Sequence, residues 1–232
     1  MSAALPAAPH EPHRDCAICP RLHDFIAEWR RREPGWFNAP VPTFEAADGP
    51  ESVAVLIVGL APGLRGANRT GRPFTGDYAG DLLYSTLRRF GFSRGEFQAR
   101  PDDGVELIGT ALTNAVRCVP PENKPTGAEI ASCRRFLAAT IAHYPNLRAI
   151  VTLGTIAHQS TVRALGLRVA DFPFSHGAHR QAGRVALFSS YHCSRYNTNT
   201  GRLTEEMFID VFAAVRDYLD GPAGVRAPTT LR

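Results

Sequence analysis

The run Val53-Ala-Val-Leu-Ile-Val58 is apolar at every position. That pattern predicts a central strand of a parallel sheet, covered on both faces. Shorter apolar stretches predict further buried strands at Ala111 to Val116, Ala149 to Leu153 and Val185 to Ser189. Between them the period lengthens. Leu22, Phe25, Ile26 and Trp29 fall on one face of a helix over Arg21 to Arg32, and Leu82, Leu83, Leu87 and Phe90 on one face of another. Thr126-Gly-Ala-Glu129 matches a capping box and opens a helix that carries Ile130, Cys133, Leu137 and Ile141 on one side. A last helix starts near Thr204, with Glu205 and Glu206 favourable to its dipole and Phe208, Val211, Phe212, Val215 and Leu219 on its buried stripe. Strands alternating with helices predict an α/β fold, a parallel sheet with helices on both faces.

The chain has 232 residues, which suits one well-buried domain, expected over residues 14–220 between flexible tails at 1–13 and 221–232. Its net charge of +4, almost all from arginine with Lys124 the only lysine, is compatible with a polyanionic partner but does not demand one. No apolar run approaches the length of a membrane span, and Met1 to His13 lacks the layout of a signal peptide. A cytoplasmic protein with no membrane contact is expected. There is no internal repeat.

The first strand runs into Gly59-Leu-Ala-Pro-Gly63 and then Arg65-Gly-Ala-Asn-Arg-Thr-Gly-Arg-Pro-Phe-Thr-Gly-Asp77. Glycines there let backbone N–H groups approach a ligand, and open α/β sheets bind ligands beyond the carboxyl ends of their strands. The loop lacks the Gly-Lys-Ser/Thr ending of a P-loop and the glycine spacing of the dinucleotide fingerprint. The bland alternative is a structural connection. A second polar, arginine-bearing loop follows the strand near Val185, from Ser189 to Thr204. In it His192 is able to donate to a developing anion, while Ser194, Asn197 and the turn at Gly201 are able to hold phosphate oxygens. Asn114 lies inside a predicted strand, where its amide must be satisfied either by a core network or by a ligand edge with one donor and one acceptor.

Cys16 and Cys19 have the two-residue gap that lets both thiolates reach one metal centre, and Cys118 and Cys133 flank a proline-rich turn. Zinc, an iron–sulfur cluster and buried free thiols all remain open on spacing alone.

Together Gly59 to Gly63, Gly66-Ala-Asn-Arg-Thr-Gly-Arg-Pro-Phe-Thr-Gly-Asp77, Thr113-Asn-Ala-Val-Arg-Cys-Val-Pro-Pro121 and His192-Cys-Ser-Arg-Tyr-Asn-Thr-Asn-Thr-Gly-Arg202 closely resemble the family 5 uracil-DNA glycosylases, in order, from Cys16 to Leu219. The resemblance implies a three-layer α/β/α sandwich with a central, mainly parallel sheet. It also implies a monomeric DNA repair glycosylase that hydrolyses the N-glycosidic bond of uracil and other deaminated or damaged bases in DNA. It further implies a 4Fe-4S cluster held by Cys16, Cys19, Cys118 and Cys133, with Cys193 unassigned. Position by position, Asp77 matches the catalytic carboxylate, Asn114 the amide that reads the extruded base, Phe74 the ring beneath that base and His192 the stabiliser of the leaving group. Gly59, Ala61, Ser194 and Asn197 fall among the substrate-binding positions. Leu60 and Ala61 stand where related families place a water-directing acid or amide, which speaks against family 4. The loop Phe174-Ser-His-Gly-Ala-His179 fits the pattern without giving His176 a role, and Cys193 departs from it by replacing the proline of His-Pro-Ser. Two other readings remain: a non-catalytic iron–sulfur or zinc protein that binds damaged DNA, and a nucleotide hydrolase, which would need the lysine this loop lacks.

Overall fold

The structure is a computed structural model that describes residues 10–221. The predicted first strand forms as β1 (Val55–Gly59), and the others as β4 (Thr110–Asn114), β5 (Ala149–Leu153) and β7 (Val185–Ser190). All pair in parallel, in a five-stranded sheet of order β4-β1-β5-β7-β6. The edge strand β6 (His179–Ala182) runs antiparallel to β7, and its largely exposed residues carry no apolar signal. A two-stranded ribbon, β2 (Ser93–Arg94) with β3 (Glu106–Leu107), is also invisible to periodicity because each strand has only two residues.

Alternation along β1 assigns the layers. Val55 and Ile57 pack with Leu83 and Leu87 of α3 (Tyr78–Arg89) and with Phe208 and Phe212 of α7 (Glu205–Asp220). Leu56 and Val58 face the other way, onto Leu137 and Ile141 of α4 (Gly127–His143) and Ala157 and Val162 of α5 (Thr155–Ala164). The result is the three-layer sandwich. The Thr126–Glu129 capping box opens α4 as expected, and Thr204 caps α7 by accepting from the Met207 N–H.

The helix α1 (Pro20–Arg32) lies apart, over a small third core of Leu22, Ile26, Val116, Val119 and the thiols of Cys118 and Cys133. Ahead of it, the expected tail ends sooner than His13. His10 is buried, and the Glu11 carboxylate accepts from Thr43 and from Arg117, a guanidinium that is itself 1% exposed. Residues 1–9 and 222–232 of the expected tails lie outside the described residues. Among the described residues no helix is long and apolar enough to cross a membrane.

Strand order also locates the site. The chain leaves β1 for β4 on one side and then crosses to β5 on the other, so the switch point lies between β1 and β5. A crevice at the carboxyl ends of those strands is the expected place for a ligand.

Candidate active site

A cavity of about 830 Å³ opens there. It is lined from the loop after β1 by Leu60, Ala61, Gly63, Phe74 and Asp77, from the end of β4 by Asn114, and from the segment after β7 by His192, Ser194 and Arg195. The loops expected to converge do converge. The turn from β5 into α5, Gly154 to Ala157, forms a further wall that periodicity does not single out; its only sequence signal is a glycine directly after a strand. Asn123, in the left-handed region at φ 57°, also reaches the cavity from the proline-rich turn.

Asn114 ends β4, pairs in register with Gly59, and is 3% exposed. Its carboxamide makes no hydrogen bond to any described residue, and it lines the cavity. A core network does not account for it. The amide opens to the cavity rather than into the core, so its donor and acceptor are available to a ligand.

Phe74 sits beside it in an uncommon backbone state, at φ 53°. Two glycines make that placement possible. A β-carbon on Gly59 would come within 2.6 Å of the Phe74 ring, and one on Gly80, in the first turn of α3, within 2.1 Å of the Phe74 carbonyl oxygen. The ring faces His192 across the cavity, with centroids 6.2 Å apart and planes tilted by 32°.

Asp77 is the residue from which α3 springs. Its Oδ2 fills the space that side chains on Gly63 and Gly66 would occupy, at 3.0 Å and 2.3 Å from their hypothetical β-carbons. Its Oδ1 is buried without a hydrogen-bond partner. Burial raises its pKa above the usual carboxylate range, and the nearby N–H groups of Ala79 and Gly80 oppose this only in part. Cys193, buried alongside with its thiol on the Ala79 carbonyl oxygen at 3.4 Å, is pushed up to about 12 by desolvation and then by the Asp77 charge. It is a thiol and packs as an apolar residue.

His192 is half-buried, and desolvation pushes its pKa down to about 4, so the ring is neutral at ordinary pH. The segment that carries it is held by neighbours. Asn197 corrects the sequence reading: it does not line the cavity, and its Nδ2 donates to the His192 carbonyl oxygen at 2.8 Å. Ser194 reaches the cavity and also caps α6 (Arg195–Asn199) by accepting from the Asn197 N–H. His176 lies behind the loop: its Nδ1 accepts from the Tyr191 N–H at 3.0 Å, and its ring stacks on Tyr191.

Not every loop arginine faces the opening. Arg72 is buried in a bidentate pair with Asp103, at 2.8 Å and 2.7 Å, surrounded by the faces of Phe44, Tyr84 and Phe97. Arg65 and Arg195 line the cavity, and Arg195 lies over the Tyr78 ring at 5.1 Å, tying the two main loops together at the mouth. Ile156 on the rim is 43% exposed and Tyr196, next to Arg195, is 72% exposed.

On the far side of β4, Cys16, Cys19, Cys118 and Cys133 border one narrow cleft with Ile18, Leu22 and Phe136. Cys19 precedes α1 without spending its sulfur on a cap, and the Cys133 sulfur accepts from the Arg117 N–H at 3.3 Å. Desolvation raises the pKa of Cys19, Cys118 and Cys133, and their mutual proximity adds to it.

The uracil DNA glycosylase superfamily model matches residues 46–216. A type-5 uracil-DNA glycosylase of Thermus thermophilus is 45% identical over 203 residues, which cover 84% of this chain and 90% of that protein. One from Pyrobaculum aerophilum is 39% identical over 202 residues, covering 85% and 86%. A type-4 enzyme of the same organism is more distant, 30% identical over 189 residues, covering 81% of this chain and 80% of that protein. The chain therefore belongs to the uracil DNA glycosylase superfamily, in its type-5 branch.

Proposed function

We infer that this chain is a DNA glycosylase that hydrolyses the N-glycosidic bond of uracil in DNA and so initiates base excision repair. The observation that carries this is the unpaired Asn114 carboxamide at the floor of a cavity, beside the Phe74 ring. A planar base with adjacent carbonyl and N–H groups satisfies both ends of the amide while stacking on the phenyl face. Other deaminated bases that offer a comparable edge are expected to enter the same cavity. The cavity is complete within one chain, in keeping with a monomer.

The reaction breaks the C1′–N1 bond of an extruded deoxyuridine. The bonding electrons leave with the base as an N1 anion, the sugar becomes oxocarbenium-like, and water adds at C1′, its proton passing in the end to the departed base to give neutral uracil. Two fixed groups meet the two developing charges. The neutral His192 ring donates a hydrogen bond to the uracil oxygen on which negative charge accumulates, and the Asp77 carboxylate faces the cationic sugar. Leu60 and Ala61 bring no acid or amide of their own, so Asp77 is also the group able to orient the water. Extrusion costs a few kcal/mol and is easiest where uracil is mispaired. Ile156 at the mouth and the exposed Tyr196 beside Arg195 are large side chains that can meet the neighbouring bases, and Arg65 and Arg195 meet the phosphates.

We further propose that Cys16, Cys19, Cys118 and Cys133 hold a 4Fe-4S cluster. The donor set fits: four thiols border one cleft, two buried at Cys118 and Cys133 and two half-buried at Cys16 and Cys19, the desolvated ones are costly to ionise unless a metal takes up their charge, and the Arg117 N–H supplies a hydrogen bond to one sulfur. When bound, the cluster's contribution is structural, clamping α1 and the proline-rich turn against the sheet. No step of base removal passes through it.

The test of the uracil-reading assignment is single-turnover excision on an oligonucleotide with one uracil, by the protein and by Asn114→Ala. A fall of about 10²-fold or more, with an unchanged fold, supports the amide as the reader of the base. An unchanged rate would contradict it.

A further inference from the structure

Outside the residues that line the cavity, three groups from three parts of the chain converge. His10 comes from the segment ahead of Cys16, Glu45 from the crossing to β1, and His143 from the last turn of α4. The two imidazole nitrogens and a Glu45 oxygen lie within 4.8 Å of one another. His10 Nε2 is 3.4 Å from Glu45 Oε1, and His143 Nε2 is 3.7 Å from the same oxygen. These separations are too long for hydrogen bonds, which run at about 2.7–3.2 Å. The edges of a tetrahedron around an ion bonded at about 2.0–2.2 Å are roughly 3.3–3.6 Å; the His10–Glu45 separation falls within that range and the His143–Glu45 separation just beyond it.

The surroundings favour an ion over an ordinary polar contact. His10 is 7% exposed, and the carboxylate oxygens nearest its Nε2 are those of Glu45 at 3.4 Å and Glu11 at 3.9 Å. Glu45 Oε1 also accepts from the Tyr144 hydroxyl at 3.0 Å, the kind of outer contact that orients a carboxylate ligand. The neighbouring Glu11 carboxylate is occupied by Arg117 and Thr43 and does not compete. The two rings are stacked, with centroids 3.8 Å apart and planes at 21°. Lone pairs of stacked rings run side by side, so binding one ion requires His143, the more exposed of the two, to rotate out of the stack until its Nε2 points at the same centre as that of His10.

We propose that His10, Glu45 and His143 form a second metal site, for a borderline divalent ion such as zinc, that fastens the segment ahead of Cys16 to the end of α4. Two imidazoles and one carboxylate suit zinc and its transition-metal neighbours and are a poor set for magnesium or calcium. The site is independent of the base-excision reading, since none of the three residues lines the cavity.

The experiment uses the untagged full-length protein with its cysteine site filled as purified. It is dialysed against zinc or magnesium, and bound metal and melting temperature are measured for the protein and for His143→Gln and Glu45→Gln. The protein should retain one zinc per chain more than either variant. Zinc at about a hundredfold over its dissociation constant should raise its melting midpoint by roughly 5–10 °C. Magnesium should not, and both variants should lose most of the rise while excising uracil at the unmodified rate without zinc. Equal zinc content and an equal shift in the protein and both variants would overturn the proposal, as would the same shift with magnesium.

Discussion

The Asn114 carboxamide lies directly against the α-carbon of Gly59, its register partner on the neighbouring strand: a β-carbon there would fall 2.5 Å from Asn114 Oδ1 and 2.6 Å from the Phe74 ring. The absent side chain is what lets the amide and the ring share one floor. Gly59→Ala should therefore displace both groups, at a strain of about 1–3 kcal/mol if the strand holds its place. Uracil excision should fall at least tenfold while melting temperature changes by only a few degrees. Full activity would mean that the amide and ring do not form the base platform together.

His192 predicts a pH signature. Its pKa is about 4 in the folded protein against 6.5 for the free side chain, so the unfolded chain takes up a proton below about 6.5 that the folded ring refuses. Stability fully present above that point is lost as pH falls from 6.5 to about 4, and levels off below. His192→Gln should flatten that part of the acid slope of the melting temperature. The same variant should lose excision by about 10²-fold or more. An NMR titration that placed the His192 ring near the ordinary histidine value would contradict the neutral-donor role.

The two classes of cysteine should separate. Cys118 borders the cleft with Cys16, Cys19 and Cys133, whereas Cys193 packs beside Asp77. Protein purified without oxygen should be brown and hold about four irons per chain. Cys118→Ser should lose iron, colour and soluble yield, and Cys193→Ser should keep all three. Stoichiometric zinc in a colourless protein would contradict the cluster, and equal iron in the two variants would reverse the assignment of the ligands.

Much of the fold and site is legible in the sequence, for identifiable reasons. The buried strands and the helices α3, α4 and α7 announce themselves because each presents a continuous apolar run or stripe, and Thr126 and Thr204 mark the starts of α4 and α7 with side chains able to cap. Asn114 stands out because a polar side chain inside an apolar strand is costly to bury unless a core partner or a ligand satisfies it, whereas Asp77 and His192 lie in the polar loops after β1 and β7 and take their roles from the family resemblance. What the sequence hides depends on tertiary contact. Nothing in it says that Asn197 spends its amide on the His192 carbonyl, or that Arg72 turns inward to Asp103. The wall at Gly154 to Ala157 belongs to the cavity only because β5 lies next to β1 in the sheet. His10, in an apparent tail, is buried by partners at Glu45 and His143 that are remote in sequence.

Asp77 carries the central claim. It is a buried carboxylate with an unpaired oxygen and a raised pKa, held in space kept free by Gly63 and Gly66. Such a group is a liability to the fold, so Asp77→Asn should leave the protein as stable or more so, by about 0.5–2 kcal/mol. The direct measurement is single-turnover excision of uracil from an oligonucleotide by the two proteins side by side. The account predicts that the unmodified chain releases uracil and that Asp77→Asn does so about two to three orders of magnitude more slowly, while still binding the uracil-containing DNA. Excision that survives the substitution within a few-fold would contradict the role of the carboxylate, and no excision by the unmodified chain would contradict the assigned activity itself.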